Sequence, residues 1–452
     1  MELIATTRDL ADLHRDVLAR SPAEGGAFVA VEPSYGRLLA HSFRIFGDED
    51  LEPDSYGVDL KEDRKVALLA EIKRSGHGVV DVHSHPFSVA RVGFSAFDLA
   101  ELPDYARYVR LKLGNKPFGS LVFGKKSYAG LYWGADGPEA LTLKASGEFA
   151  SIPSWFPNRA RTRLSASERA LYDRQVLALG IQGQARLAKL QVAVVGLGGT
   201  GSQIVQQLSH LGVRSFVLLD DDVVEPSNLP RLAGASRADA RVRRLKDQVA
   251  QRMVRRLQPA ATIECPGTLR RTRSLELLAK VDLVVGCVDN DGARLILSEL
   301  AAAHLVPYVD LGVSVENAGR GQLGMGGRVA FYLPPGPCLA CADELDFAEA
   351  AEDLEAEGLR QIRIQRGYAS DRRVEAAVMP INTVIVGLAM GEILAFATGV
   401  RPVVPFQRYD FQLQRVIRGA AHRNDQCPLC IPSLGMGDRQ QIARYALDDA
   451  AS

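Results

Sequence analysis

Sulfur is scarce in this chain: 452 residues hold six cysteines and six methionines. Four of the cysteines sit in two CxxC pairs, Cys338-Leu339-Ala340-Cys341 and Cys427-Pro428-Leu429-Cys430. So few thiols argue against a disulfide-built scaffold and for a reducing compartment. Charge of either sign is not in excess, since 54 Lys and Arg face 54 Asp and Glu; this leaves no electrostatic case for a nucleic-acid partner. Long uncharged apolar runs are missing too. The nearest approach, Thr383–Val400, carries Glu392 and three glycines, so a buried or subunit-interface helix is expected there rather than a membrane span. No signal-peptide pattern opens the chain and no repeat runs through it. The expectation is a cytoplasmic protein of two or three domains with no membrane partner.

What is present is concentrated in two places. Gln191–Arg231 reads as an apolar strand (Val192–Val195), a glycine loop (Gly196-Leu197-Gly198-Gly199-Thr200-Gly201), a helix, a second strand (Phe216–Leu219) ending in Asp220-Asp221-Asp222, and then Ser227-Asn228-Leu229-Pro230-Arg231. A glycine loop between strand and helix lets phosphate oxygens reach backbone N–H groups at a positive helix end, and a carboxylate about twenty residues on suits a ribose hydroxyl. A dinucleotide-dependent dehydrogenase would share that much. It needs no cations and no metal-binding acid beside its phosphates, whereas a site that breaks a triphosphate needs both. Arg231, Lys246 in a basic helix, and Asp289 after the buried strand Val281–Val285 supply them.

From about Ser165 to Cys430 the order and spacing of Tyr172-Asp173-Arg174-Gln175, the glycine loop, Asp220, Asn228, Arg231, Lys246, Asp289 with Arg294 and the two CxxC pairs resemble the ThiF/MoeB/ubiquitin-activating adenylyltransferase family. The resemblance implies a doubly wound, Rossmann-like α/β domain that binds ATP through Gly196, Gly198, Gly199, Gly201, Asp220, Asp222, Asn228, Arg231, Lys246, Asp289 and Asn290. It implies Asp220 on the ribose, Gly199 and its neighbours on the phosphates, and Mg2+ on Asp289. Asn228, Arg231 and Lys246 would stabilise the pentavalent α-phosphate, with Arg174 reaching in from the partner subunit of a homodimer. A C-terminal glycine carboxylate is a poor electrophile at neutral pH, and attack on the α-phosphate gives it a good leaving group. Positioning and charge neutralisation do the work of such a step, so arginine, lysine and magnesium dominate over histidine.

The CxxC pairs read as a four-thiolate structural zinc site, with redox dithiols as the rival; neither pair follows a thioredoxin-like pattern. Members of the family that pass their substrate to a thiol carry a cysteine just before a segment like Val374-Glu375-Ala376-Ala377-Val378-Met379-Pro380. This chain has Arg373 there, and no cysteine lies between Cys341 and Cys427. The closer parallel is with members that only adenylate. Cys265 and Cys287 lie in strand-like surroundings and read as buried structural thiols. The stretch Ala342–Arg373 is acidic to Glu357 and basic from Arg360; it reads equally as a solvated crossover and as a gate over the adenylation site.

The second concentration lies near the start. Val79-Val80-Asp81-Val82 reads as a strand running into His83-Ser84-His85-Pro86, with Ser95-Ala96-Phe97-Asp98 opening a helical stretch. Histidines at i and i+2 on a strand end point to one side, and a carboxylate from a following helix completes a three-ligand zinc set with one position open, as hydrolysis requires. This pattern resembles the JAB/MPN metalloprotease family, which cleaves isopeptide or peptide bonds at the C-terminus of ubiquitin-like proteins. The resemblance implies zinc on His83, His85 and Asp98, Ser95 beside the oxyanion, and Glu24 as general base, with Glu32 as the runner-up. The loop from Pro86 to Phe94 is two residues longer than is usual for that family.

The expected organisation is a JAB/MPN-type α+β hydrolase at 1–150, a linker at 151–164 marked by Pro153–Asn158, and the adenylation domain with its four-cysteine site at 165–452. Strands are predicted at Gly26–Val31, Arg37–Phe43, Val79–Val82, Gly119–Phe123 and Ala129–Trp133, and a capped helix from Ser165–Glu168. Together the resemblances imply ATP, Mg2+ and two zinc ions, one catalytic and one structural. They also imply a small glycine-terminated ubiquitin-like or sulfur-carrier partner, with a conjugating enzyme or sulfur donor downstream. The two activities would act on one tail, by precursor processing or deconjugation on the hydrolase side. Sulfur-carrier activation for cofactor or cysteine biosynthesis is the second reading and a non-catalytic ATP-binding scaffold the third.

Overall fold

The computed structural model describes the chain apart from residues 53–56, 157–163, 318–322, 356–375, 420 and 448–452. It divides into two compact units, one of Met1–Gly147, Ser151–Arg161 and Leu434–Gln440, the other of Glu148–Ala150, Thr162–Ser433 and Gln441–Ser452.

The first unit is built on one eight-stranded sheet. Its strands are β1 (Glu2–Thr6), β2 (Gly26–Ser34), β3 (Arg37–Ile45), β4 (Gly78–Ser84), β5 (Phe118–Phe123), β6 (Tyr128–Gly134), β7 (Gly137–Ala140) and β8 (Thr142–Ser146), in the order β7-β6-β5-β4-β2-β3-β1-β8. The five predicted strands are the cores of β2 to β6; β1, β7 and β8 are additional. Helices α1 (Thr7–Leu18), α2 (Glu62–Ser75) and α3 (Ala96–Lys112) cover the sheet. Alternation along β4 divides its side chains. Val79 joins Phe28, Leu68, Leu69, Ala106, Val109 and Phe118 in a core cluster with α2 and α3, so Asp81 and His83 share that face, while Ser84 turns the other way and bonds the Val17 carbonyl of α1.

Two segments depart from the expected boundaries. The first part of the stretch read as a linker, 151–156, is packed: Trp155 stacks on His14 at 4.4 Å and meets Phe123 edge-on at 5.2 Å, and Phe156 is 2% exposed; residues 157–163 of it lie outside the described residues. Aromatic burial outweighs the proline signal there. The late segment Leu434–Gln440 also belongs to this unit. Asp438 accepts the Tyr35 N–H at 3.0 and 3.1 Å, and Arg439 donates to the Ser75 and Gly76 carbonyls at 2.8 and 3.0 Å while pairing with Glu32 at 2.9 Å.

That pairing gives a stability prediction. Burial holds the Glu32 carboxyl above its ordinary range, and Arg439 works against the shift. Because a raised folded pKa makes the ionised form costly, the penalty grows as pH rises through it. Arg439→Ala should cost the first unit about 2 kcal/mol near neutral pH, less than for a fully buried pair because the Arg439 side chain is 34% exposed. The deficit should shrink toward pH 5 as Glu32 protonates. Urea unfolding followed by tryptophan fluorescence measures this, since Trp133 and Trp155 are the only tryptophans in the chain and both lie in this unit. An equal deficit at both pH values would show that the charge pair is not its source.

The second unit is built on another eight-stranded sheet: β9 (Gln191–Val195), β10 (Ser215–Leu219), β11 (Thr262–Gly267), β12 (Leu283–Gly286), β13 (Tyr308–Asn317), β14 (Leu323–Tyr332), β15 (Phe406–Asp410) and β16 (Arg415–Arg418), ordered β11-β10-β9-β12-β13-β14-β15-β16. From β11 to β13 the pairings are parallel, and from β13 to β16 antiparallel. Only the first half is therefore doubly wound. The helices are α4 (Ala166–Leu171), α5 (Asp173–Lys189), α6 (Gly201–His210), α7 (Arg237–Arg241), α8 (Lys246–Leu257), α9 (Thr272–Leu278), α10 (Asp291–His304), α11 (Phe347–Leu354), α12 (Met379–Thr398) and α13 (Cys430–Ser433). The capping box expected at Ser165 is present, with Glu168 as its acidic partner.

Apolar clusters form on both faces of this sheet. One gathers residues of α6, α8 and α12 over β9, β10, β13 and β14; the other gathers residues of α9 and α10 with the two CxxC pairs. Helix α12, the apolar run singled out above, is long and apolar enough to cross a membrane, but 67% of that stretch is buried in the unit. Its Glu392 is neutralised by two 2.7 Å bonds from Arg401 and one from the Val404 N–H at 2.9 Å, which is how a carboxylate is tolerated in an apolar core.

Candidate functional site

Strand order locates the nucleotide crevice. The chain runs outward from β9 through β10 to β11, then returns to β12 on the other side of β9, so the carboxyl ends of β9 and β12 form the point where winding reverses. Gly286 ends β12 opposite Val195 at the end of β9, which brings the glycine loop and the Val288-Asp289-Asn290 turn to one edge. A Cβ on Gly201 would lie 1.8 Å from the Gly196 carbonyl oxygen, so no other residue closes this loop, while nothing lies within 4 Å in front of Gly198. Phosphate oxygens fit that opening beside the α6 N-terminus.

The acids and cations converge there. Asp220 Oδ2 accepts the Leu197 N–H at 2.6 Å and its Oδ1 accepts the Asp222 N–H at 2.9 Å. Burial raises the Asp220 carboxyl and Lys246 opposes it, with Lys246 Nζ at 3.7 Å from Asp220 and 2.6 Å from Asp222. Arg231 lies against the loop, its Cδ 3.2 Å from where a Gly199 Cβ would be. Asn228 Oδ1 accepts the Glu225 N–H at 3.0 Å. Asp289 is exposed, and Asn290 caps α10 by accepting the Ala293 N–H at 2.8 Å. Arg294 donates to the Val288 carbonyl at 3.0 Å and to Asp291 at 2.6 Å, fixing the turn that carries Asp289. Arg174 is 89% exposed and lies 3.7 Å from Asp173.

Sequence reasoning missed two residues at this loop. A Gly199 Cβ would meet Asn382 Nδ2 at 2.4 Å, and Gln203 donates to the Gly199 carbonyl at 2.8 Å while accepting from Thr383 at 2.7 Å. Buried Asn382 lies on the first turn of α12. A polar residue at the head of an apolar run was the available signal. Of the acidic-to-basic crossover, the structure describes the part through Glu355; Arg373 and the basic half lie outside the described residues.

Cys338, Cys341, Cys427 and Cys430 bring their Sγ atoms within 4.8 Å of one another, with neighbouring sulfurs at 3.7 Å. That spacing is far from a disulfide and close to the roughly 3.8 Å edge of a tetrahedron of thiolates around zinc. The cluster fits a structural metal better than a redox pair. Burial pushes the Cys265 thiol up to about 11 and the Cys287 thiol to about 12, which makes both poor nucleophiles at neutral pH.

In the first unit His83, His85 and Asp98 also bring their ligand atoms within 4.8 Å of one another. Asp98 Oδ2 lies 3.7 Å from His83 Nε2 and 3.5 Å from His85 Nε2. His83 Nε2 is buried without a hydrogen-bond partner, as an atom reserved for a metal would be. Ser95 forms a capping box with Asp98, its N–H donating to Asp98 Oδ2 at 2.6 Å and its Oγ accepting the Asp98 N–H at 3.1 Å. Burial would raise the Asp98 carboxyl, but the neighbouring His83 imidazole and the bonds from Ser95 hold it well below the usual range. Phe87 stacks on His85 at 5.1 Å, and the longer loop is tied down by Val92 N–H donating to Ser127 Oγ at 2.8 Å.

Glu24 lies beside this set with Oε1 3.5 Å from His85 Nε2, and burial raises its carboxyl. Strand register sets the runner-up Glu32 apart from this set. Gly26 pairs with His83 and Val31 with Gly78, so Glu32, six residues on, lies toward the other end of β2 from the histidines, roughly 20 Å along the strand. There it meets Arg439 and His77, whose imidazole burial drives down to about 4.

The comparisons with known proteins concern the second unit. The ThiF family profile matches residues 172–429. The chain belongs to the ThiF family. Relatives include the SAMP-activating enzyme E1 of Haloferax volcanii, 32% identical over 192 residues, which are 42% of this chain and 66% of that one. The adenylyltransferase and sulfurtransferase MOCS3 of Mus musculus is 34% identical over 190 residues, 41% of this chain and 39% of that protein. This ThiF-family chain thus spans 66% or less of the length of these relatives. Among solved structures, E. coli MccB bound to an MccA peptide matches 60% of this chain and 76% of that chain at 18% identity, with a TM-score of 0.48.

Proposed function

We propose that the ThiF unit adenylates the C-terminal glycine of a small ubiquitin-like or sulfur-carrier protein, and that the first unit is a JAB/MPN-type zinc hydrolase acting at the same terminus. The observation that carries this reading is the presence, in one chain, of a ThiF crevice and of a His-His-Asp set with a glutamate beside it. In the first reaction a carboxylate oxygen of the glycine attacks the α-phosphorus while the bond to pyrophosphate breaks, leaving an acyl-adenylate. Arg231 and Lys246 neutralise the charge that develops, Asn228 stabilises it by hydrogen bonding, and Arg174 of a second copy in a homodimer adds to that neutralisation. Asp289 would hold Mg2+, which supplies further neutralisation. In the second reaction His83, His85 and Asp98 would hold zinc, which supplies a Lewis acid for amide hydrolysis. Glu24 takes a proton from the attacking water and returns it to the leaving amine, a role its raised pKa suits. The reading puts the protein in a reducing cytoplasm, with a conjugating enzyme or a sulfur donor receiving the adenylate.

Relatives named as sulfurtransferases, and the lack of a crossover thiol, favour sulfur-carrier activation as the second reading. Both readings share a prediction. Four of the six cysteines are in the cluster and the other two have raised pKa values, so enzyme, ATP and partner should yield adenylate without a thioester on the enzyme. A non-reducing gel tests it. A thiol-sensitive adduct that disappears in Cys265→Ala or Cys287→Ala would overturn it. Metal analysis tests the hydrolase half: about two zinc ions per chain are expected, and about one in His85→Ala.

A further inference from the structure

We infer that Ser84, the residue between the two histidines, is a positioning residue that fixes the general base. Alternation on β4 turns Ser84 away from the face that carries His83, so its hydroxyl does not reach the metal-binding side. It is 0% exposed and makes three hydrogen bonds. Its Oγ accepts the Gly25 N–H at 2.9 Å and donates to the Val17 carbonyl at 2.8 Å, and its own N–H donates to the Gly25 carbonyl at 2.9 Å. Ser84 therefore ties the last turn of α1, the turn before β2, and the histidine strand at one point.

Glu24 is the residue held by that point. Its own carbonyl accepts from Arg20 Nη1 at 2.8 Å, so its backbone is fastened by Arg20 on one side and by Ser84, through Gly25, on the other. Gly25 leaves no slack: a Cβ there would lie 2.2 Å from the Val17 carbonyl oxygen that Ser84 also bonds. A side chain whose backbone is clamped in this way stays at the 3.5 Å separation from His85 seen here. Removing the hydroxyl leaves the Gly25 N–H and the Val17 carbonyl without their side-chain partner in a buried place, and both gain by shifting the turn. The carboxylate moves with it.

The inference rests on the hydrolase reading of the first unit, and its test separates the two. In the full-length protein, Ser84→Ala should lower kcat for cleavage of a fusion extended beyond the partner's terminal glycine by at least about ten-fold, because a base displaced by an ångström loses most of its effect. KM and zinc content should stay at the wild-type values, since neither substrate nor metal touches Ser84. Ser84→Thr keeps the hydroxyl and should recover most of the loss. Arg20→Ala, a change at the surface end of the clamp, should give a smaller fall in kcat with KM unchanged, and serves if Ser84→Ala does not fold. A crystal structure of the Ala variant, or of Arg20→Ala in its place, should show Glu24 withdrawn from His85. Wild-type kcat in both variants, or Glu24 unmoved in the crystal, overturns the inference. A wild-type protein that cleaves nothing would remove the hydrolase reading alone, with the position of Glu24 in the variant still deciding the clamp.

Discussion

Replacing Asp289 by alanine is expected to abolish ATP–pyrophosphate exchange, and exchange in the wild-type protein is expected only when a glycine-terminated partner is present. Exchange measures the adenylation equilibrium directly, because labelled pyrophosphate enters ATP only by reversal of acyl-adenylate formation. Asp289 is the exposed acid of the turn after β12, at the same edge of the sheet as the glycine loop. Lys246 is already paired with Asp222 at 2.6 Å and Arg231 lies along Gly199, so Asp289 is the acid of this crevice that would hold Mg2+, which would supply further charge neutralisation. Loss of the metal ligand should lower the exchange rate by roughly 10³-fold or more, about 4 kcal/mol of transition-state stabilisation. Arg294→Ala should lower it less, since Arg294 acts on the Val288 carbonyl rather than on the phosphates. Exchange that survives in Asp289→Ala at the wild-type rate would remove the adenylation assignment from this crevice.

What could be read in the sequence was chemistry fixed by local spacing. A glycine loop, a His-x-His on a strand end and two CxxC pairs each place their functional atoms within a few residues of one another, so composition and offset suffice. The choice between Glu24 and Glu32 was of another kind. Both precede the histidines by more than fifty residues, and only the β2–β4 register, with Gly26 opposite His83, puts Glu24 at the ligands and Glu32 at the far end. Asn382 was marked only by its polarity at the head of an apolar run, and what makes it matter is a backbone nearly two hundred residues earlier in the chain, at Gly199. The docking of Asp438 and Arg439 on Tyr35, Ser75 and Gly76 spans still greater separations, and no periodicity reports it. Trp155 misled because prolines flank it, while the burial that decided its fate came from His14 and Phe123.

The largest effect in the first unit is expected from Glu24→Ala: cleavage of an extended partner fusion should be lost while the zinc remains. The separation of those two outcomes follows from geometry. His83, His85 and Asp98 gather their ligand atoms without Glu24, whose nearest approach is the 3.5 Å contact with His85. Removing a carboxylate outside the ligand set leaves metal affinity with the three that remain, whereas removing the group that moves the proton costs about 10² to 10⁴ in rate. His85→Ala should lose both zinc and cleavage, because it takes one of three ligands. Glu32→Ala should retain both, since Glu32 faces Arg439 at the other end of β2. Adenylation should persist in all three variants, because the residues changed lie in the first unit and the crevice in the second. Zinc analysis beside a cleavage assay reads every arm. Undiminished cleavage in Glu24→Ala would take the base away from Glu24, and cleavage indifferent to chelators and to His85→Ala would take the metal away from the reaction.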